Sequence, residues 1–134
     1  MKNISLLVIF LFACIFLSGQ NLIGYNYKEI QDYMKANHQD MNSEKVINSK
    51  FNYLKYTDSG NSQTLMFFLN QDSICTSIRL ICDYSVRAEK VKEFNSIYIR
   101  NSENKWIDKR DGKDYIVEIG DEKWSCVIKI EPFK

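Results

Sequence analysis

Six blocks of the chain alternate apolar and polar residues with a period of two, the spacing of a half-buried strand. They run over 50–58, 63–70, 73–83, 105–109, 113–119 and 123–131. Turn chemistry separates them: DSGNS over 58–62, NQD over 70–72 and RDGK over 110–113, where Asp111-Gly112 is a hairpin pair. Two other blocks repeat at helical spacing. In 26–39 the residues Ile30, Tyr33 and Met34 share a face, and Asn26 followed by Glu29 has the form of a capping box. In 84–98 Val91, Phe94 and Tyr98 recur on one side, and Ser85 is placed to cap. The stretch 40–50 is polar and reads as a connection, with a short ordered piece around Val46 and Ile47. The pattern predicts an α+β fold, αβββ-αβββ, with a six-stranded antiparallel sheet and two helices on one face.

The repeated order suggests a duplication, 24–83 against 84–134. A displacement of 50 positions lays Leu65, Phe67 and Leu69 on Tyr115, Val117 and Ile119, and Ile78 and Leu80 on Ile128 and Ile130. Phe51 would match Trp106. Strand parity then assigns faces. Leu65, Phe67, Leu69, Ile74, Ile78, Leu80 and Cys82 form the helix-covered side in the first half. Tyr115, Val117, Ile119, Trp124, Cys126, Ile128 and Ile130 form it in the second. The opposite side should be polar where it meets water. Met66, Phe68, Ile81, Ile116 and Val127 depart from that. Either they are scattered surface apolars or they are covered by 39–50, or they make a contact surface for a protein or peptide partner.

The N-terminus changes the setting. Lys2 precedes an apolar run over 4–17, and small residues Ser18 and Gly19 follow. That is the layout of a secretory signal peptide over residues 1–19, too short for the roughly 20 apolar residues of a spanning helix. It leaves a single domain over 20–134 and predicts a periplasmic or secreted protein. Cys14 also admits a lipid-anchored reading. Removing Lys2 from the 18 basic residues leaves 17, against 17 acidic, so the domain is near neutral. Nothing resembles the clustered positive surface that nucleic acid requires.

Export bears on the remaining cysteines, Cys75, Cys82 and Cys126. Cys75 and Cys82 lie seven positions apart in one predicted strand, roughly 23 Å at the strand rise and on opposite faces. A disulfide holds its Cα atoms within about 7 Å. Cys82 and Cys126 share the core face and are the one pair that could bond, provided the third and sixth predicted strands are neighbours. Otherwise all three act as small apolar residues. Their spacing is not that of zinc ligands, and His38, the only histidine, sits where a helix end favours a cation. No metal and no cofactor is expected. No phosphate-binding glycine loop, nucleophile elbow or metalloprotease motif occurs, so no catalytic residue is assigned.

The stretches YLKY, TLMFFLNQDSICTSIRLICDYS, KWIDK, DYIVEI and KWSCVIKI resemble small uncharacterised exported proteins of Bacteroidetes-type bacteria, over most of the mature chain. In element order alone, the chain is similar to beta-lactamase-inhibitor-protein-like tandem modules and to small lipoproteins of outer-membrane assembly. The first resemblance implies export and no particular activity. The expectation is an exported binding module without catalytic activity. The alternatives are a secreted hydrolase or protein inhibitor, and an envelope lipoprotein.

Overall fold

In a computed structural model, residues 21–47, 50, 52–60, 62–110 and 112–134 are described. Helix α1 spans Tyr27–Asn37 and is followed by β1 (Met41–Ile47), β2 (Asn52–Asp58), β3 (Gln63–Leu69) and β4 (Cys75–Asp83). A 3₁₀ turn at Tyr84–Val86 leads into α2 (Arg87–Ile97), β5 (Ile99–Ser102), β6 (Lys105–Arg110), β7 (Lys113–Asp121) and β8 (Ser125–Pro132). The sheet therefore has eight strands, which corrects the expected six. The two additions, β1 and β5, each follow a helix directly and lie outermost. Most side chains of β1 are exposed, so its sequence has the pattern of the polar connection expected over 40–50. β5 has four exposed residues. A strand that borders water on its outer edge has no apolar alternation to betray it.

The strand order is β1-β2-β3-β4-β8-β7-β6-β5, antiparallel throughout. Each half is thus a helix followed by a four-stranded meander. The halves join where β4 lies beside β8. Both helices cover the same side. Ile30 and Met34 of α1, with Leu22, pack on Leu54, Tyr56, Phe67 and Ile78. Phe94 of α2 packs on Trp106, Val117, Ile119, Cys126 and Ile128. Each large apolar side chain buried here contributes about 1.5–3 kcal/mol.

The two halves repeat one element order but do not share the gap-free register expected from the 50-position displacement. Leu65 pairs with Leu80 in β3–β4, whereas Val117, not Tyr115, pairs with Ile130 in β7–β8. The second hairpin has slid by two residues. A slide of two keeps every side chain on its face, so parity survives where alignment does not. Leu54, paired with Phe67, is the counterpart of Trp106, paired with Val117. Phe51 lies outside the described residues, as do the signal-peptide reading of residues 1–19 and Asp111.

Three local readings are corrected. Phe68 pairs with Ser77 but Leu69 pairs with Cys75, leaving Thr76 as an extra residue in β4. This bulge turns Cys75 onto the helix side, where it is 1% exposed, rather than opposite Cys82. Trp124, expected in the core, stands 78% exposed between β7 and β8. Ser85 does not cap α2. Asp83 accepts a hydrogen bond from the Ser85 amide at 2.9 Å and starts the 3₁₀ turn that precedes it. Asn26 does cap α1: its Oδ1 accepts from the Glu29 amide at 2.9 Å, and its Nδ2 donates to Glu29 Oε1 at 2.8 Å. At the other end His38 is the C-cap residue, its amide donating to Met34.

Candidate functional site

Among the described residues no helix lies on the second face of the sheet, and the pairing register sets what it displays. One row crosses seven strands: Glu44, Lys55, Met66, Arg79, Lys129, Glu118 and Lys105, each paired with the next. Arg79 and Lys129 stand directly opposite each other on β4 and β8, at the seam between the halves. Side chains so paired lie about 4.5–5.5 Å apart at Cβ, and like charges there repel. Among the described residues neither cation has a carboxylate within ion-pair distance. Those ion pairs are Arg87–Asp121 at 2.6 Å and Lys90–Glu93 at 3.5 Å.

Apolar groups flank this pair. The guanidinium carbon of Arg79 lies 5.4 Å from the Phe68 ring centre, and its Nε is buried without a hydrogen-bond partner. Phe68 packs against Tyr53 at 5.8 Å. A groove of about 170 Å³ runs between Phe68, Ser77, Arg79, Lys129 and Glu131. It shares Ser77 and Glu131 with a wider depression of about 580 Å³ reaching Ile116, Glu118 and Lys105.

The structure brings four of the five expected surface residues together. Met66 and Phe68 follow each other along one face of β3, and Met66 pairs with Arg79. Ile81 pairs with Val127 across the seam. All are half-buried except Val127, which lateral packing leaves 7% exposed. Ile116 stands apart. It pairs with Ile107, which pairs with Ile99, in a second apolar group toward the β5 edge. Local sequence patterning does not reveal the cation pair, since Arg79 and Lys129 lie 50 positions apart. Only knowledge that β4 and β8 are neighbours makes them a pair.

The covered face has a cleft that periodicity did not suggest. A cavity of about 120 Å³ lies between α1 and α2, over Leu65, Leu80 and Ile130, with Tyr33, Lys90 and Tyr98 among its walls. Burial, reinforced by the nearby Asp108 and Glu93 carboxylates, pushes the Tyr98 hydroxyl up to about 12. Burial also raises Tyr33, and the Arg110 charge opposes both shifts. Glu93 Oε2 accepts from Lys90, and its Oε1 is buried without a partner. The lining is mainly apolar, suited to excluding water.

Cys82 and Cys126 are paired in register, with their sulfurs 3.1 Å apart. Cys75 belongs to the first-half core instead. Among the described residues no group of three His, Cys, Asp or Glu side chains is arranged to hold a metal ion. No helix among them is long and apolar enough to cross a membrane.

Comparison with family models, with curated proteins and with solved structures finds no match for this chain.

Proposed function

We propose that the chain is an exported interaction module that captures an acidic, partly apolar segment of a partner protein on the open face of its sheet. The observation that carries this is the Arg79–Lys129 pair, two opposed cations without an ion-pair partner among the described residues, set among Tyr53, Phe68, Met66 and Ile81. Holding two like charges together disfavours the free fold. A carboxylate laid between them relieves that repulsion, and the neighbouring apolar side chains gain burial in the same step. Aromatic, Met and Arg side chains are the ones enriched at protein interfaces. An inhibitor of another protein is one form of this function. A periplasmic or secreted location rests on the leader pattern of residues 1–19. Mass measurement of the mature N-terminus tests it and separates cleavage from lipid attachment at Cys14.

The binding test is selection of short random peptides on the immobilised chain. Sequences rich in Asp or Glu beside aromatic or aliphatic residues should be enriched. Arg79→Glu, and separately Met66→Asp, should weaken the selected peptides by at least about tenfold, roughly 1.4 kcal/mol, with an unchanged circular-dichroism spectrum. Enrichment of basic or uncharged peptides, or acidic binders indifferent to Arg79→Glu, would overturn the reading. Binders whose contacts map to the cleft between the helices would do so as well.

A further inference from the structure

The seam between the halves carries a second chemical feature, independent of the open face. Cys82 on β4 and Cys126 on β8 are direct cross-strand partners, and their sulfurs approach to 3.1 Å as free thiols. Both side chains point to the helix side and are 1% and 0% exposed. We propose that Cys82 and Cys126 are a disulfide-forming site that locks the two halves of the sheet together when a thiol–disulfide oxidant is available.

Three observations carry this. First, direct partners on adjacent antiparallel strands have Cα atoms about 4.5–5.5 Å apart, inside the range of about 4.4–6.8 Å that a disulfide spans. The bond thus needs side-chain rotation and no change of register. Second, the remaining cysteine of the sheet does not compete. Cys75 sits in the other core cluster, and its sulfur contacts the Ser77 carbonyl at 3.5 Å. Third, the location gives the bond a mechanical meaning. The β4–β8 ladder is the hydrogen-bonded join between the two four-stranded halves. A covalent link there closes a long loop of chain and restricts the unfolded state. On the other face the same ladder holds Arg79 opposite Lys129 and Ile81 opposite Val127, so the lock fixes their register too.

The chemistry is thiol–disulfide exchange with an oxidant such as oxidised glutathione. One cysteine thiolate attacks the oxidant's S–S bond, forming a mixed disulfide and releasing one glutathione thiolate. The second cysteine thiolate then displaces the other glutathione. Two S–H bonds are lost, one S–S bond forms, and the two protons pass to the two released thiolates. The folded sheet is slow to react, since the sulfurs are covered and burial pushes the Cys82 thiol up to about 12. The bond therefore forms while the seam is open, during folding.

The test uses the full chain, unfolded in reductant and refolded in glutathione buffer. Free thiols are then alkylated in denaturant, and the chain is digested with trypsin without reduction. The expected result is a disulfide joining the peptide 80–87 to the peptide 124–129, with Cys75 alkylated. Adding reductant should lower the melting temperature of the refolded chain by roughly 10 °C. Cys75→Ser should keep that shift and Cys82→Ser should abolish it. The folded, reduced chain placed in the same buffer should acquire the bond far more slowly. Alkylation of both Cys82 and Cys126 after refolding, or a bond that involves Cys75, would overturn the proposal. Peptide mapping of the wild-type chain decides the question even if a variant fails to fold.

Discussion

The two halves share a plan and hold their helices differently. In the first, α1 buries Ile30 and Met34 at 0% and 1% exposure, and Leu22 joins them from the preceding segment. Asn26 closes its first turn. In the second, Phe94 is the one buried side chain of α2, and no side chain caps its start. The sheet makes up the difference. Trp106 rises from β6 with no exposed surface, meets Phe94 edge-on at 5.4 Å, and donates its indole N–H to Asn95 at 2.9 Å. One helix is thus held by its own apolar stripe, the other by an aromatic anchor that reaches up to it. A repeated topology does not require repeated packing. The counterpart positions Leu54 and Trp106 differ in size and in what they offer the helix above.

The widest test of this contrast is truncation of the anchors. Trp106→Ala should cost about 3–5 kcal/mol in urea unfolding, near the top of the range for buried side chains. Met34→Ala should cost about 2–4 kcal/mol, since Ile30 and Leu22 remain to hold α1. Equal losses would mean that the two helices are held alike.

Alkaline pH sharpens the same comparison at a smaller scale. Tyr98, beyond α2, keeps its proton up to about 12, whereas an unfolded tyrosine loses it near 10. Above pH 10 the unfolded chain binds fewer protons than the folded one, so stability falls as pH rises. Between about pH 10 and 12 the loss should be on the order of 2 kcal/mol. Denaturant titrations across that window should show Tyr98→Phe flattening the slope. Tyr33→Phe in the first half should flatten it less, because burial there is not reinforced by the Asp108 and Glu93 carboxylates that act on Tyr98.

The smallest effect separates the helix starts. Asn26→Ala should cost about 1 kcal/mol, the usual value of a side-chain cap. On α2, Arg87 pairs with the half-exposed Asp121, and Asp121→Asn should cost less than about 1 kcal/mol. Thermal melts in low and high salt should show only the second variant converging on the parent.

Most of the central sheet was legible because six strands bury one face and alternate accordingly. The edge strands were not, since MNSEKVI and IRNS are held by backbone ladders that leave no side-chain pattern. The bulge at Thr76 was hidden for a related reason: an extra residue reverses the face of Cys75 without altering composition. Of the candidate site, the apolar members on the open face could be listed from parity. Their grouping could not, because Ile116 and Ile81 share a face but not a neighbourhood. The pairing of Arg79 with Lys129 depends on β8 returning to lie beside β4, a long-range choice that local periodicity does not encode.

The short last strand has a bearing on how this protein behaves in a crowd. β5 ends the sheet after four residues, with its ladder broken between Arg100 and Ser102. Arg100 folds back to donate to the Ser102 and Glu103 carbonyls at 3.3 and 2.9 Å. Two acceptors at that margin are thereby occupied, and an incoming chain finds little backbone to template on. The opposite margin, β1, is longer and keeps Glu44 and Lys45 as its deterrent. End-to-end polymerisation of such sheets should begin at β1, and it should be favoured by salt that screens those charges.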